Sequence, residues 1–152
     1  MAVGAFTFYK NAHLNISGTI NLGSTNFRAH FYTSASNFGT NTLSSLTSLT
    51  NEVASAYGYV KSGKAIGSVT WAAGTSAGQA KFTAAAWVLT AGASAIVGIK
   101  GVVIVGTTST SAKNGANKLL CFSTLSTSQF TLSKGNTLTI TPSASGIFVL
   151  AG

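Results

Sequence analysis

Hydrophobic and polar residues alternate along much of this chain with the two-residue period of a β-strand. In "FRAHFY", the apolar residues Phe27, Ala29 and Phe31 share one side, and the alternate residues, which include Arg28 and His30, share the other. A strand with this pattern has one face in the core and one face toward solvent. The sequence therefore predicts a half-buried strand here.

Similar signals recur at short intervals along the chain. The further short runs rich in β-branched or aromatic residues are TINL, SVTW, AKFTA, WVLT, AIVGIKGVVIV, KLLCFSTL, QFTLS and NTLTIT. Clusters of Gly, Ser and Asn separate them and indicate turns. The pattern predicts one all-β domain over residues 1–152, an antiparallel β-sandwich or barrel-like fold with at most one or two short helices.

The C-terminal residues predict two strands joined by a turn. Pro142 cannot donate to a β-ladder and should end the "NTLTIT" strand, with "SASG" as the following turn. Residues Ile147–Leu150 then form a closing strand. Both of its sides are apolar, so we expect it to be central or covered, and its own sheet is a better candidate partner than a neighbouring subunit.

Two segments also fit helices. Residues 5–14 place Phe6, Tyr9, His13 and Leu14 on one helical face, although Phe6 and Phe8 also fit a strand. The segment "TLSSLTSLTNEVA" spaces its leucines on one face, but Ser and Thr are poor helix-interior residues. A short helix and a packed loop fit residues 42–54 equally well.

The stretch 84–106 is apolar and about as long as a membrane span. Lys100 lies inside it and glycines dilute it, so we expect two buried strands joined by a turn of small residues, and no membrane partner. The N-terminal residues lack the basic start and the long apolar segment of a secretion signal.

The charge of the chain indicates what kind of partner it binds. Nine Lys and Arg residues face a single acid, Glu52, giving a net charge of +8, and charged residues make up only 7% of the chain, against roughly 25% in an average soluble domain. A surface of Ser, Thr, Ala and Gly suits close packing against neighbours. Arg28 is the only arginine and the lysines are dispersed, so an acidic protein surface is the expected partner and nucleic acid is not.

The same composition restricts catalysis. One acid rules out paired carboxylates, and a catalytic triad could use only Glu52 with His13 or His30. These three residues and Cys121 are the whole supply of His, Cys and acidic metal ligands, and their spacing matches no known site. Residues 92–101 lack the phosphate-loop pattern. We therefore predict no enzyme, no catalytic or metal-binding residues and no cofactor, with Cys121 as a small buried hydrophobe.

A series of motifs occurs in a characteristic order over nearly the full length: "GTINL" at 18–22, "FRAHFYTS", "NEVASAYGYVKSG" at 51–63, "AAWVL" around Trp87, "IVGIKGVVIV", "LLCFSTL" and the terminal "LTITPSASGIF". In this order they resemble a family of small virion structural proteins of tailed bacteriophages. The segments "NLGSTN" and "TPSASG" replace regions that are acidic in that family, so no charged contact or cation site is carried over. Glu52 matches the family's "N-E-V" and is expected to accept hydrogen bonds from local backbone or a lysine.

The resemblance implies assembly and no catalytic residues. It suggests a capsid decoration or cement protein, made in the host cytoplasm and bound to the head exterior at capsomer junctions. Its expected partners are the major capsid protein or other virion proteins and further copies of itself, for which a trimer is one candidate arrangement. The alternatives are a neck, tail or host-attachment component and, third, a basic DNA-associated protein.

Overall fold

The computed structural model of this protein describes residues 5–12, 16, 20, 22–23, 27–106 and 117–151. Their regular structure is almost entirely antiparallel β, which confirms the all-β prediction. The strands are β1 (Thr7–Phe8), β2 (Phe27–Tyr32), β3 (Lys64–Ile66), β4 (Thr70–Ala73), β5 (Gln79–Thr83), β6 (Trp87–Thr90), β7 (Ile96–Ile99), β8 (Gly101–Gly106), β9 (Lys118–Thr124), β10 (Phe130–Leu132), β11 (Thr137–Ile140) and β12 (Phe148–Ala151).

The strands form four antiparallel groups. The largest sheet has the order β1-β9-β8-β2-β3, and a three-stranded sheet has the order β12-β5-β4. Two further pairs, β10-β7 and β11-β6, complete the arrangement. The result is a β-sandwich-like fold with one contiguous apolar core.

Aromatic side chains join the two larger sheets. Phe27 of β2 contacts Phe82 of β5 with ring centroids 4.9 Å apart, and Phe8 of β1 contacts Phe148 of β12 at 4.4 Å. Phe82 and Phe148 also stack on each other at 4.9 Å. Aromatic pairs in these geometries stabilise a core beyond the effect of area burial alone.

Strand β2 is more buried than its alternation predicts. It lies inside the large sheet, between β8 and β3, and His30 is only 1% exposed although it falls on the predicted polar side. Tyr32 is buried on the same side, and only Arg28 is partly exposed. The prediction of a half-buried strand was therefore wrong, because hydrogen-bonded side chains, described below, enclose the second face.

The apolar stretch 84–106 forms strands. Strand β6 is followed by the small residues 91–95 and then by β7, and β8 begins directly after Lys100. The turn of small residues was predicted, but the segment holds three strands instead of two. Among the residues described, no helix is long and apolar enough to cross a membrane.

The helical alternatives are resolved in part. Residues Thr7–Phe8 form β1, which favours the strand reading of Phe6 and Phe8, whereas His13 and Leu14 lie outside the described residues. Residues 42–54 contain a single 3₁₀ turn, Leu46–Ser48, within a packed loop.

Strand β3 was not predicted. The "TINL" run lies partly outside the described residues. Its two described residues, Ile20 and Leu22, are buried.

The two C-terminal strands lie where the sequence predicts them, although they pair with different strands, β11 with β6 and β12 with β5. Strand β11 ends at Ile140, and the N–H of Gly146 donates to the carbonyl of Ser143 at 2.8 Å, which closes the predicted turn. Strand β12 pairs with β5, so its partner is its own sheet. It is an edge strand, however, and Val149 is 37% exposed, so the expectation of a central or covered strand was wrong.

Candidate functional site

The only acidic side chain of the chain lies at the end of β2. Strand β3 pairs with β2 as far as Ala29, and beyond that point the segment 51–59 takes its place. Val53 donates its N–H to the carbonyl of Phe31 at 2.9 Å, and Tyr32 forms an isolated antiparallel bridge with Glu52. These backbone bonds therefore place the Glu52 carboxylate beside the side chains of β2.

Glu52 accepts two hydrogen bonds from buried side chains. The Nδ1 atom of His30 lies 2.9 Å from its Oε1, and the hydroxyl of Tyr59 donates to the same oxygen. An ionised carboxylate only accepts hydrogen bonds, so Nδ1 is the donor on the imidazole. The Tyr59 oxygen in turn accepts the N–H of Phe31 at 3.1 Å. We call His30, Glu52 and Tyr59 the Glu52 cluster.

The Glu52 cluster corrects one expectation. Glu52 is a structural acceptor, as predicted, but its partners are a histidine and a tyrosine instead of local backbone or a lysine. Burial raises the pKa of Tyr59 well above its ordinary value, and the hydrogen bond to Glu52 raises it further. Nothing in the spacing of these residues indicated the contact. The only available signal was that His30 sits in an apolar strand and must find a partner when buried.

The other nitrogen of His30 faces a glycine. Its Nε2 is buried without a hydrogen-bond partner, and a Cβ placed on Gly63 would lie 2.5 Å from it. Gly63 also has a φ of +77°, a conformation that suits glycine. The acid and the histidine of a hypothetical triad are thus adjacent, but the site where a serine would have to lie is filled by the Gly63 backbone. His13, the other candidate, lies outside the described residues.

Cys121 is fully buried in β9, as predicted. Burial raises the pKa of its thiol well above the ordinary value. The residues that the structure describes contain no group of three or more His, Cys, Asp or Glu side chains that could hold a metal ion.

Arg28 and Lys100 bind backbone carbonyl groups. Arg28 Nη1 donates to the carbonyls of Ser62 at 2.9 Å and Gly63 at 3.1 Å, and Lys100 Nζ donates to the carbonyl of Thr127. Over the described part of the chain, His30 and Glu52 are the only basic and acidic side chains in contact, and they form an ion pair only when the imidazole is protonated.

These bonds bring three cations into one corner of the molecule. Arg28 holds the two residues that separate Lys61 from Lys64, and both lysines are exposed. We call Arg28, Lys61 and Lys64 the basic corner. The prediction that the cations are dispersed does not hold at this corner, because strand pairing between β2 and β3 places Arg28 beside the turn.

Two apolar features remain uncovered. A groove of about 470 Å³ lies between Ala5, Phe6 and Phe8 on one side and the 142–149 segment on the other. Among the described residues, six large apolar side chains are exposed, of which Val149 also lines the groove: Tyr57, Val60, Trp71, Val88, Val97 and Val149. The described residues that line the groove are mostly apolar, with Ser143 and Ser145 as the hydroxyl-bearing ones.

Comparison with known protein families, with curated proteins and with solved structures found no match to this chain.

Proposed function

We propose that this chain is a structural protein of a tailed-bacteriophage virion and that it acts as a decoration or cement protein on the outside of the head. The single observation that carries the proposal is that Glu52 is paired inside the protein. The only acidic side chain of the chain is bound internally by His30 and Tyr59. The nine basic residues therefore have no other acidic side chain to pair with inside the protein.

An acidic protein surface fits this charge distribution. Long-range attraction between opposite charges speeds encounter and fixes orientation, and it suppresses binding to other positive surfaces. The basic corner is the place where such contact should concentrate, since it presents Lys61 and Lys64 on a turn held by Arg28. The weakly charged remainder of the surface permits close packing against a shell.

The mechanical role follows from this mode of attachment. A decoration protein adds buried interface across the junctions between capsomers and so resists separation of the shell under internal pressure. A compact β-domain with a continuous core transmits such strain with little deformation, because packed interiors have low compressibility.

The first test is the location and the number of copies in purified virions. We expect the labelled protein on the head surface, in proportion to the major capsid protein by quantitative gel densitometry. A copy number equal to that of the tail proteins, with label at the neck or tail, would overturn the decoration role and support the neck, tail or host-attachment alternative.

A second test concerns the basic corner. The double variant Lys61→Glu/Lys64→Glu should attach to purified heads at least tenfold more weakly than the native protein. The variant Lys10→Glu/Lys134→Glu changes the net charge equally at exposed sites elsewhere and should retain attachment. Equal loss in both variants would show a general charge effect. Retention on duplex DNA with steep salt dependence would favour the DNA-associated alternative.

A further inference from the structure

Strand β4 is an edge strand whose residues are all exposed. It pairs with β5 on one side, and no described strand pairs with the other side. All four residues from Thr70 to Ala73 are exposed, and Trp71 is 36% exposed. An edge of this kind presents a row of backbone donors and acceptors to any strand of suitable shape.

The register of the β4–β5 hairpin identifies the unpaired groups. Gly74 donates its N–H to the carbonyl of Gln79 at 2.8 Å, just beyond the pair Ala73–Ala80. Hydrogen-bonded and non-hydrogen-bonded pairs alternate in an antiparallel ladder. The N–H and C=O groups of Trp71 and Ala73 therefore point away from β5, toward the open edge.

The edge is short, which limits pairing, but it lacks the other features that normally prevent it. Proteins protect such strands with lysine, proline or a β-bulge, whereas Thr70–Ala73 has no charged residue and no proline, and its register with β5 is regular. The edge is also self-complementary. Trp71 and Ala73 lie on the same face, so an antiparallel copy centred on Ala72 places a large side chain opposite a small one.

We propose that β4 pairs antiparallel with β4 of a second copy of this chain, about a two-fold axis at Ala72. In this register Trp71 of each copy pairs with Ala73 of the other, and both outward-pointing residues of each strand are bonded. A register centred on Trp71 would place the two tryptophans opposite each other and leave Ala73 opposite Val69, which precedes β4. The paired sheets become one sheet of six strands, with β12 at both ends.

The contact is weak in dilute solution. A four-residue edge on each copy buries less than the roughly 1,000 Å² that a stable interface needs, and the two copies repel because each has a net charge of +8. Added salt screens this repulsion, so association strengthens as salt rises, whereas binding to an acidic surface weakens. The pairing does not depend on the proposed virion role.

A disulfide at the axis tests the register. Residues 72 of the two copies form a non-hydrogen-bonded pair with Cα atoms about 4.5 Å apart, which lies within the disulfide range of about 4.4–6.8 Å. Ala72→Cys should therefore cross-link two copies under mild oxidation, and faster at high salt. In the control Ala73→Cys, the cysteines are offset by two residues, about 7 Å along the strand, and should cross-link at least tenfold more slowly. The native Cys121 is buried and should not interfere.

Proline provides the second control. The N–H of Ala73 points to the open edge, so Ala73→Pro removes a donor from the self-pairing and leaves the bonds to β5 in place. The double variant Ala72→Cys/Ala73→Pro should fold but lose the cross-link. Equal cross-linking of Ala72→Cys and Ala73→Cys, or cross-linking that survives the proline, would overturn the proposal, as would native protein that sediments as a monomer at millimolar concentration and high salt.

Discussion

The hydroxyl of Tyr59 joins the backbone of β2 to the only acidic side chain of the protein. It accepts the N–H of Phe31 at 3.1 Å and donates to the carboxylate of Glu52. Strand β3 does not extend far enough to accept this N–H. The Tyr59 hydroxyl accepts it in place of a carbonyl from a neighbouring strand. The Glu52 cluster is thus part of the sheet and not a surface feature.

Removal of this hydroxyl tests its role. Tyr59→Phe leaves the Phe31 N–H and one bond of the Glu52 carboxylate unsatisfied, and a buried group without its partner costs about 1–3 kcal/mol. We expect the free energy of unfolding in urea to fall by that amount. The control is Tyr57→Phe, because Tyr57 is 49% exposed; its free energy of unfolding should stay within about 0.5 kcal/mol of the native value. Equal effects in both variants would contradict a structural role for the Tyr59 hydroxyl.

Gly63→Ala should destabilise the protein for two reasons that can be separated. The φ of +77° disfavours any side chain, and the new Cβ would lie 2.5 Å from His30 Nε2. The first effect costs about 1–2 kcal/mol, and overpacking adds about 1–3 kcal/mol. Gly78 has a φ of +75° with nothing within 4 Å of its Cβ position, so Gly78→Ala measures the first effect alone. Thermal unfolding should show a larger loss for Gly63→Ala, and equal losses would exclude the contact with His30.

Alkaline pH should unfold the protein cooperatively. Burial raises the pKa values of Tyr9, Tyr32 and Tyr59 well above the ordinary value of 10.0. The unfolded chain therefore loses these protons first, and stability that is complete below about pH 10 falls as pH rises further. Each tyrosine contributes a slope of about 1.4 kcal/mol per pH unit. After a rapid jump to high pH, the tyrosinate absorbance of these residues should appear at the rate of unfolding; immediate ionisation of all tyrosines would contradict their burial.

Neighbouring residues of β12 should respond very differently to truncation. Phe148 contacts Phe8 and Phe82 in the core, so Phe148→Ala should cost about 3–5 kcal/mol. Val149 is 37% exposed, and Val149→Ala should cost less than about 1 kcal/mol. Urea unfolding of the two variants would measure the difference. Comparable losses would mean that β12 is covered on both faces.

The sequence predicted the strands better than their surroundings. Alternation identified β2 and β11, because successive side chains of a strand point to opposite faces of its sheet. The burial of His30 was missed, since it depends on Glu52 and Gly63, which lie far from it along the chain. Strand β3 was missed for a related reason: "KAI" is too short to show a period and is fixed only by pairing with β2.

The basic corner and the open edge of β4 could not be predicted from the sequence either. Composition alone indicated a cationic protein that would bind something acidic, but not the basic corner, which depends on the β2–β3 register that brings Arg28 to the turn. The open edge of β4 also depends on topology, because a sequence of four neutral residues does not reveal whether it lies inside a sheet or at its margin.

Labelling of Cys121, the single thiol of the chain, can report the opening of the large sheet. Cys121 is opposite Phe8 of β1 on one side and Ile104 of β8 on the other and is fully buried in the core, so a reagent can reach it only when the core around β9 opens. Its rate of labelling therefore reports the opening of the large sheet without any engineered probe. Comparison of that rate between isolated protein and assembled particles would show directly how much assembly restrains the opening of the sheet.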